Sequence, residues 1–267
     1  MSGASDVGLA ASGTSGNITL RRKAGIVRRS YRFAQRQLLG TITHVATTEH
    51  VAALTFDDGP DPASTPLVLD VLAKHNAHGT FFMLGAAASR YPDLVREVAA
   101  RGHAIGNHTW DHPSLPSLTH RERFRQIRDC RNTLADSGQR LFRPPYGEQN
   151  MAARLDLLCF GYQVVTWNTD SGDWWNPDAV AMADHLVKHI RPGCIVVLHD
   201  AISPPPANEN AAPLPREILY DRGAMLAALD LTLKRLDGRF RFVTVPQLLQ
   251  RGRPRRTVWS SWQDARR

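Results

Sequence analysis

Asp57 and Asp58 stand side by side in TFDDGP (55–60), where the apolar run VAALTF gives way to turn residues. Neighbouring side chains on an extended backbone point to opposite sides, so two aspartates at a strand end take different jobs: one can grip a cation while the other accepts a proton. A turn or helix cap is the plain alternative for Asp-Gly-Pro. In HTWDH, His108 and His112 are four residues apart. On a helical turn both imidazoles would face one way and share a metal ion, and one oxygen ligand from elsewhere would complete a His-His-Asp site with open positions for water. A pair of surface or capping histidines is the alternative there. Attack of an activated water on a carbonyl needs a base, an acid for the leaving nitrogen and a donor for the oxyanion. One aspartate of the pair can be the base, and His199, at the end of the apolar run CIVVL, the acid. Arg143 would hold the base ionised, and a carboxylate near His199 would raise that imidazole's pKa.

These residues need elements to position them. Apolar runs predict strands at 51–56, 79–84, 103–106, 140–142, 162–166, 194–198 and 240–245, with helical patterns near 64–76, 90–101, 119–137, 150–159, 178–190 and 222–237. Such alternation builds a parallel sheet, open or closed into a barrel. Asp57 and Asp58 follow the first strand, HTWDH the third, FRPPYG (142–147) the fourth, NTDSGDWW (168–175) the fifth and His199-Asp200 the sixth. Every polar cluster therefore falls at a C-terminal strand end. In parallel α/β folds those ends converge on the ligand-binding face.

Composition bounds the function classes. The chain has 267 residues, 42% of them hydrophobic, enough for one large α/β core. Cys130, Cys159 and Cys194 are odd in number and far apart, which argues against a disulfide framework or a cysteine zinc site and favours a reducing, cytoplasmic setting. The net charge of +8 is carried by the ends: residues 1–40 hold +6 and 251–267 hold +5, leaving 41–250 at −3. A mildly acidic body excludes a nucleic-acid binder. Four segments follow: a disordered tail over 1–20, a basic helix over 21–40, a catalytic domain over 41–250 and a basic tail over 251–267. The basic ends suit weak peripheral contact with an acidic membrane face, and a helix packed on the domain is the plainer expectation for 21–40. SPPPANENAAPLP (203–215) reads as a stiff surface loop, either a tolerated insertion or one rim of a substrate cleft.

TFDDGP at 55–60, HTWDH at 108–112, RPPYG at 143–147, DSGDW at 170–174 and LHD at 198–200 occur in that order over 146 residues. With GTFFMLG (79–85) they resemble the motifs of the polysaccharide deacetylases of carbohydrate esterase family four, the nodulation-type chitooligosaccharide deacetylase group. The resemblance implies a distorted (β/α) barrel of seven or eight parallel strands and metal-dependent N-deacetylation of acetylated amino-sugar glycans. It implies Asp57 as general base, Asp58, His108 and His112 as metal ligands, Arg143 as the residue orienting Asp57, and the Tyr146 N–H as oxyanion donor. Trp174 and Leu198 would line the acetyl-methyl pocket, and Asp173 would tune His199, the general acid. Zinc is the implied ion, with cobalt or another divalent ion as alternatives. A cytoplasmic or inner-membrane-face oligosaccharide or glycolipid precursor is preferred over finished peptidoglycan. An O-acetyl ester or a non-sugar amide is the alternative bond. An idle carbohydrate- or membrane-surface module would be expected to lack one of these residues, and none is missing.

Overall fold

The computed structural model describes residues 38–203 and 221–257. The tail over 1–20, residues 21–37 of the basic helix, the proline-rich loop beyond Ser203 and residues 258–267 lie outside the described residues. Seven parallel strands form one curled sheet, in the order β6 (Gln163–Val164), β5 (Gly138–Phe142), β4 (Ala104–Asn107), β3 (Gly79–Met83), β2 (Val51–Asp57), β8 (Ile195–His199) and β7 (Thr169–Asp170). An eighth, β9 (Arg241–Phe242), pairs with β2 at Val51 and Ala52, ahead of the stretch that pairs with β3. Among the described residues β6 and β7 do not pair with each other, so the barrel expected from the sequence is a distorted, open one.

Strand β2 is buried along its whole length, as a strand covered on both faces must be. Leu54 and Phe56 join Phe81, Val196 and Leu198 in a core cluster packed under helices α1 (Thr65–Lys74), α6 (Ala179–His189) and α7 (Gly223–Leu236). The alternate residues Val51 and Ala53 join Phe82, Val165 and Ile195 in a second cluster inside the curl. At about 25 cal/mol per Å² of apolar surface removed from water, these two clusters dominate the favourable side of folding. The remaining helices, α2 (Gly85–Arg90), α3 (Pro92–Ala100), α4 (His120–Leu134), α5 (Met151–Cys159) and α8 (Val245–Leu249), connect or flank the strands. Their starts are set by side chains: Thr119 and Glu122 form a capping box on α4, Thr244 and Gln247 on α8, and Asn150 accepts from the Ala153 N–H on α5. No helix among the described residues is long and apolar enough to cross a membrane.

The apolar runs did not predict the strand Thr41–Ala46, β7 or the helix Gly85–Arg90, and three further elements differ from the sequence expectation. Arg253–Thr257, assigned to the basic C-terminal tail, is strand β10, antiparallel to β1 (Thr41–Ala46). Its sequence RPRRT lacks an apolar alternation because it lies at the edge with its alternate side chains in solvent. The strand expected over 240–245 pairs only at Arg241 and Phe242, since the Thr244 cap starts a helix at Val245. The strand expected over 162–166 pairs with β5 only through Gln163 and Val164, and Val165 bridges to Ile42 of β1 instead.

Gly193 locks β1 against the sheet. Its carbonyl accepts from Val45 N–H at 2.9 Å, its N–H donates to Val51 at 2.7 Å, and φ is +80°. A Cβ there would lie 1.7 Å from the Val45 oxygen, whereas one on Gly161, at φ +72°, would meet nothing within 4 Å. Gly161→Ala should cost only the left-handed backbone penalty, about 1–2 kcal/mol. Gly193→Ala should cost more, because backbone has to move. Urea unfolding of the two variants checks the difference.

Candidate active site and metal centre

The C-terminal strand ends bring most of the chemistry together. In the parallel register Asp57 lies beside Phe82 of β3 and His199 of β8. Asp57 Oδ1 accepts from the Arg143 guanidinium at 2.8 Å, while Oδ2 lies 4.0 Å from His108 Nε2. Arg143 is wholly buried; it also donates to Thr55 Oγ1 at 2.7 Å and to the Val165 and Thr166 carbonyls, with its guanidinium 4.2 Å over the Phe82 ring. Burial pushes the Arg143 pKa down against the opposing charge of Asp57.

Asp58, His108 and His112 each bring a ligand atom within 4.8 Å of the others. Asp58 Oδ1 lies 3.3 Å from His108 Nε2 and 3.3 Å from His112 Nε2. His108 Nδ1 sits 2.7 Å from the Arg143 carbonyl, which accepts only a proton-bearing nitrogen. A neutral His108 therefore turns the lone pair of Nε2 towards Asp58. Asp58 Oδ1 is buried and has no hydrogen-bond partner among the described residues. Electron pairs on a carboxylate and two imidazoles converge there, and a divalent cation is the group this donor set fits. Burial pushes the His112 pKa down to about 4, so His112 is neutral and able to ligate at neutral pH. Burial alone would raise Asp58, but His112 and His108 outweigh it and hold the carboxyl well below the usual range.

The two histidines do not meet on a helical turn, as their spacing suggested. Residues 108–112 are a loop in which Thr109 and His112 have φ of +75° and +67°. Side chains replace the missing helix bonds: Asn107 Oδ1 accepts from the Thr109 N–H, and Thr109 Oγ1 from the His112 N–H. Asp58, at φ +75°, and Tyr146, at φ +57°, adopt the same left-handed backbone. The Tyr146 ring packs edge-on against His112, with centroids 4.5 Å apart. Burial pushes the Tyr146 phenol up to about 12.

His199 is held at two atoms. Its Nδ1 lies 2.9 Å from Asp173 Oδ1 and its backbone N–H donates to Asp173 Oδ2 at 2.9 Å, so Nε2 is left to carry a transferable proton. Burial works against the imidazolium, yet Asp173 raises the His199 pKa to about 9. Burial would likewise raise Asp173, but His199 and Arg222 hold it below its ordinary value. Arg222, at the start of α7, donates to Asp173 Oδ2, to the Asp173 carbonyl at 3.2 Å and to the His199 carbonyl at 3.1 Å. Ser171 Oγ donates to Asp173 Oδ1 at 2.8 Å. Below the site, burial lifts the Asp200 carboxyl to about 7, and it accepts from Thr65 Oγ1 at 2.5 Å. A Cβ on Gly59 would lie 2.1 Å from that carboxyl, so only glycine fits the turn after Asp58.

Leu198 is the one predicted residue that falls elsewhere. It is fully buried in the helix-facing cluster with Phe56 and Leu69. Alternation along β8 turns it away from His199 and gives its place to Val197, in register with Thr55 and Asp170. The period of two along CIVVLHD carried that signal. Arg222 and Ser171 were also missed; Arg222 lies 23 residues beyond His199, and no local spacing ties it to Asp173. Trp174 and Trp175 are exposed and line a cavity of about 950 Å³ with Trp167, Asn176 and His185, abutting the site through Gly147.

Residues 44–165 match the polysaccharide deacetylase family. The chain is 37% identical over 209 residues to a chitooligosaccharide deacetylase of Sinorhizobium fredii, covering 73% of this chain and 97% of that one. It is 37% identical over 211 residues to a peptidoglycan-N-acetylglucosamine deacetylase of Bacillus cereus, covering 77% and 91%. The crystal structure of a peptidoglycan N-acetylglucosamine deacetylase superposes with a TM-score of 0.68 at 31% identity, over 80% of this chain and 94% of that one. With this site on this fold, the chain belongs to the polysaccharide deacetylase family.

Proposed function

We propose that this chain is a metal-dependent hydrolase that removes N-acetyl groups from GlcNAc-containing oligo- or polysaccharide, with chitooligosaccharide-like glycans as the preferred class. The observation that carries this reading is the convergence of Asp58 Oδ1, His108 Nε2 and His112 Nε2, with Asp57 beside them. A divalent ion, zinc before cobalt, would be held there by Asp58, His108 and His112 and would supply Lewis acidity. Asp57, pinned through Oδ1 by Arg143, keeps Oδ2 towards the triad as the base for the attacking water. His199, protonated at neutral pH, gives its Nε2 proton to the departing amine. The Tyr146 N–H is the proposed donor to the developing oxyanion, supported by its left-handed backbone against His112. Trp174 and Val197 are proposed to enclose the acetyl methyl, and the tryptophan-lined cavity to take neighbouring sugars. Action on a cytoplasmic-face precursor is part of the same proposal and rests on the sequence alone.

Acetate release from chitooligosaccharides, measured beside acetylated xylan and with and without chelator, tests this. Chelation should abolish release and zinc restore it; faster release from xylan would assign the site to esters. Asp57→Asn should keep its metal by elemental analysis and lose about 10²–10⁴-fold in kcat. Asp58→Asn should lose the metal itself, and equal metal loss in both would contradict the division of labour.

The acid must be protonated to act, so activity is present below the His199 pKa and should fall as pH rises towards about 9. A bound cation acts in the opposite direction to Asp173, placing the alkaline limb of the loaded enzyme at or below that value. Asp173→Asn should move the limb lower still, read from the pH profile of kcat/KM. Arg222→Met should cost about tenfold to hundredfold in kcat with KM little changed, since it displaces the acid rather than the substrate. Partial recovery in Arg222→Lys is expected.

A further inference from the structure

The chain that leaves β8 passes beside Asp58 before the proline-rich stretch begins. The Ser203 N–H donates to Asp58 Oδ2 at 2.8 Å, a bond between residues 145 positions apart. The other oxygen, Oδ1, is buried, has no hydrogen-bond partner among the described residues and lies 3.3 Å from both His108 Nε2 and His112 Nε2. The two oxygens of one carboxylate are therefore in different states: backbone engages one, and the other keeps its lone pairs among the imidazoles. A carboxylate free to turn offers a cation either oxygen or both, and both modes are common in metal sites. None of the roles given above accounts for the bond that decides between them.

The segment carrying this donor is braced. Arg222 Nε donates to the His199 carbonyl at 3.1 Å, Ser64 Oγ to the Asp200 carbonyl, and Thr65 Oγ1 to Asp200 Oδ2 at 2.5 Å. Ser64 and Thr65 belong to the same stretch of chain as Asp58, at the entry to α1. The stretch that carries the carboxylate thus also anchors the backbone that orients it. A donor held this way forms its bond to an ionised acceptor without further ordering, and such charge-assisted bonds are the stronger kind.

We propose that Ser203 is a positioning residue of the metal centre, its backbone N–H turning the Asp58 carboxylate so that Oδ1 alone faces His108 and His112. This rests on the metal-dependent reading above, and it places a residue outside the five sequence motifs in the support of the site. The amide acts rather than the hydroxyl, so position 203 tolerates other side chains. Proline, which occupies positions 204–206, is the exception, because it has no N–H to give.

Zinc affinity of the full chain, stripped with chelator and titrated in competition with a chromophoric chelator, tests the assignment. Ser203→Pro should weaken zinc binding about 10–100-fold, whereas Ser203→Ala, which keeps the N–H, should bind within about twofold of the native chain. Exchanging the amide between residues 202 and 203 for an ester removes the N–H without confining the backbone and should weaken zinc over the same range of about 10–100-fold. The ester carries the test if urea unfolding shows that proline disturbs the fold. At saturating zinc the kcat of the ester protein should return to within about threefold of native, since the bond serves retention of the ion and not the acid or the base. Native zinc affinity in the ester protein would overturn the proposal, as would a loss in Ser203→Ala equal to that in Ser203→Pro. A kcat that stays low at full zinc occupancy would also overturn it, placing the effect on the catalytic groups. A native chain that binds no zinc would overturn this proposal and the metal-dependent reading together, whereas zinc held equally by the native and ester proteins would overturn this one alone.

Discussion

The Arg143 guanidinium is hidden from solvent, and the positions of Asp57 and His108 both depend on this residue. Removing such a charge from water costs several kcal/mol, so it persists only because its surroundings are complementary. Asp57, Thr55 and two carbonyls accept its hydrogen bonds, and the Phe82 ring turns its π-face to it. Its own carbonyl takes the Nδ1 proton of His108 and thereby fixes the tautomer of a proposed ligand. One residue thus sets the position of a carboxylate through its side chain and of an imidazole through its backbone. Cutting either link would leave a buried charge or a rotating ring in the middle of the strand ends.

Rigidity beneath the site permits strain within it. Six non-glycine residues among those described have positive φ, and four of them are Asp58, Thr109, His112 and Tyr146. Each left-handed residue costs about 1–2 kcal/mol, and such costs are tolerated where the surroundings over-determine the backbone. Here the surroundings are β2, β3 and β8, buried on both faces, with the Asn107 and Thr109 side chains standing in for regular backbone bonds. Asp200, filling the space that Gly59 leaves, closes the floor.

The sequence made the strand-end convergence legible because the motifs are local: each lies within a few residues of the strand that carries it. Strands β2, β3, β4 and β8 were legible for the same reason, being apolar runs buried on both faces. Elements whose stability comes from distant partners were not. β10 is five residues of RPRRT that become a strand only because β1 lies beside them. Arg222 serves Asp173 across 49 positions, and a helix start says nothing of where its side chain reaches. Leu198 differs again: it belongs to the family motif, yet the alternation of its own strand turns it into the helix-facing core. The spacing of HTWDH fits a helical turn equally well, because i and i+4 are also brought together by a loop with two left-handed residues.

The register that sets Asp57 level with His199 on neighbouring parallel strands has a consequence for the reset of the enzyme. Under the proposed roles, a completed cycle leaves the carboxyl holding the extra hydrogen and the imidazole short of one. The two groups stand on adjacent parallel strands, whose backbones lie about 4.8 Å apart, and their charges change in opposite senses, so the sum of the pair is the same before and after turnover.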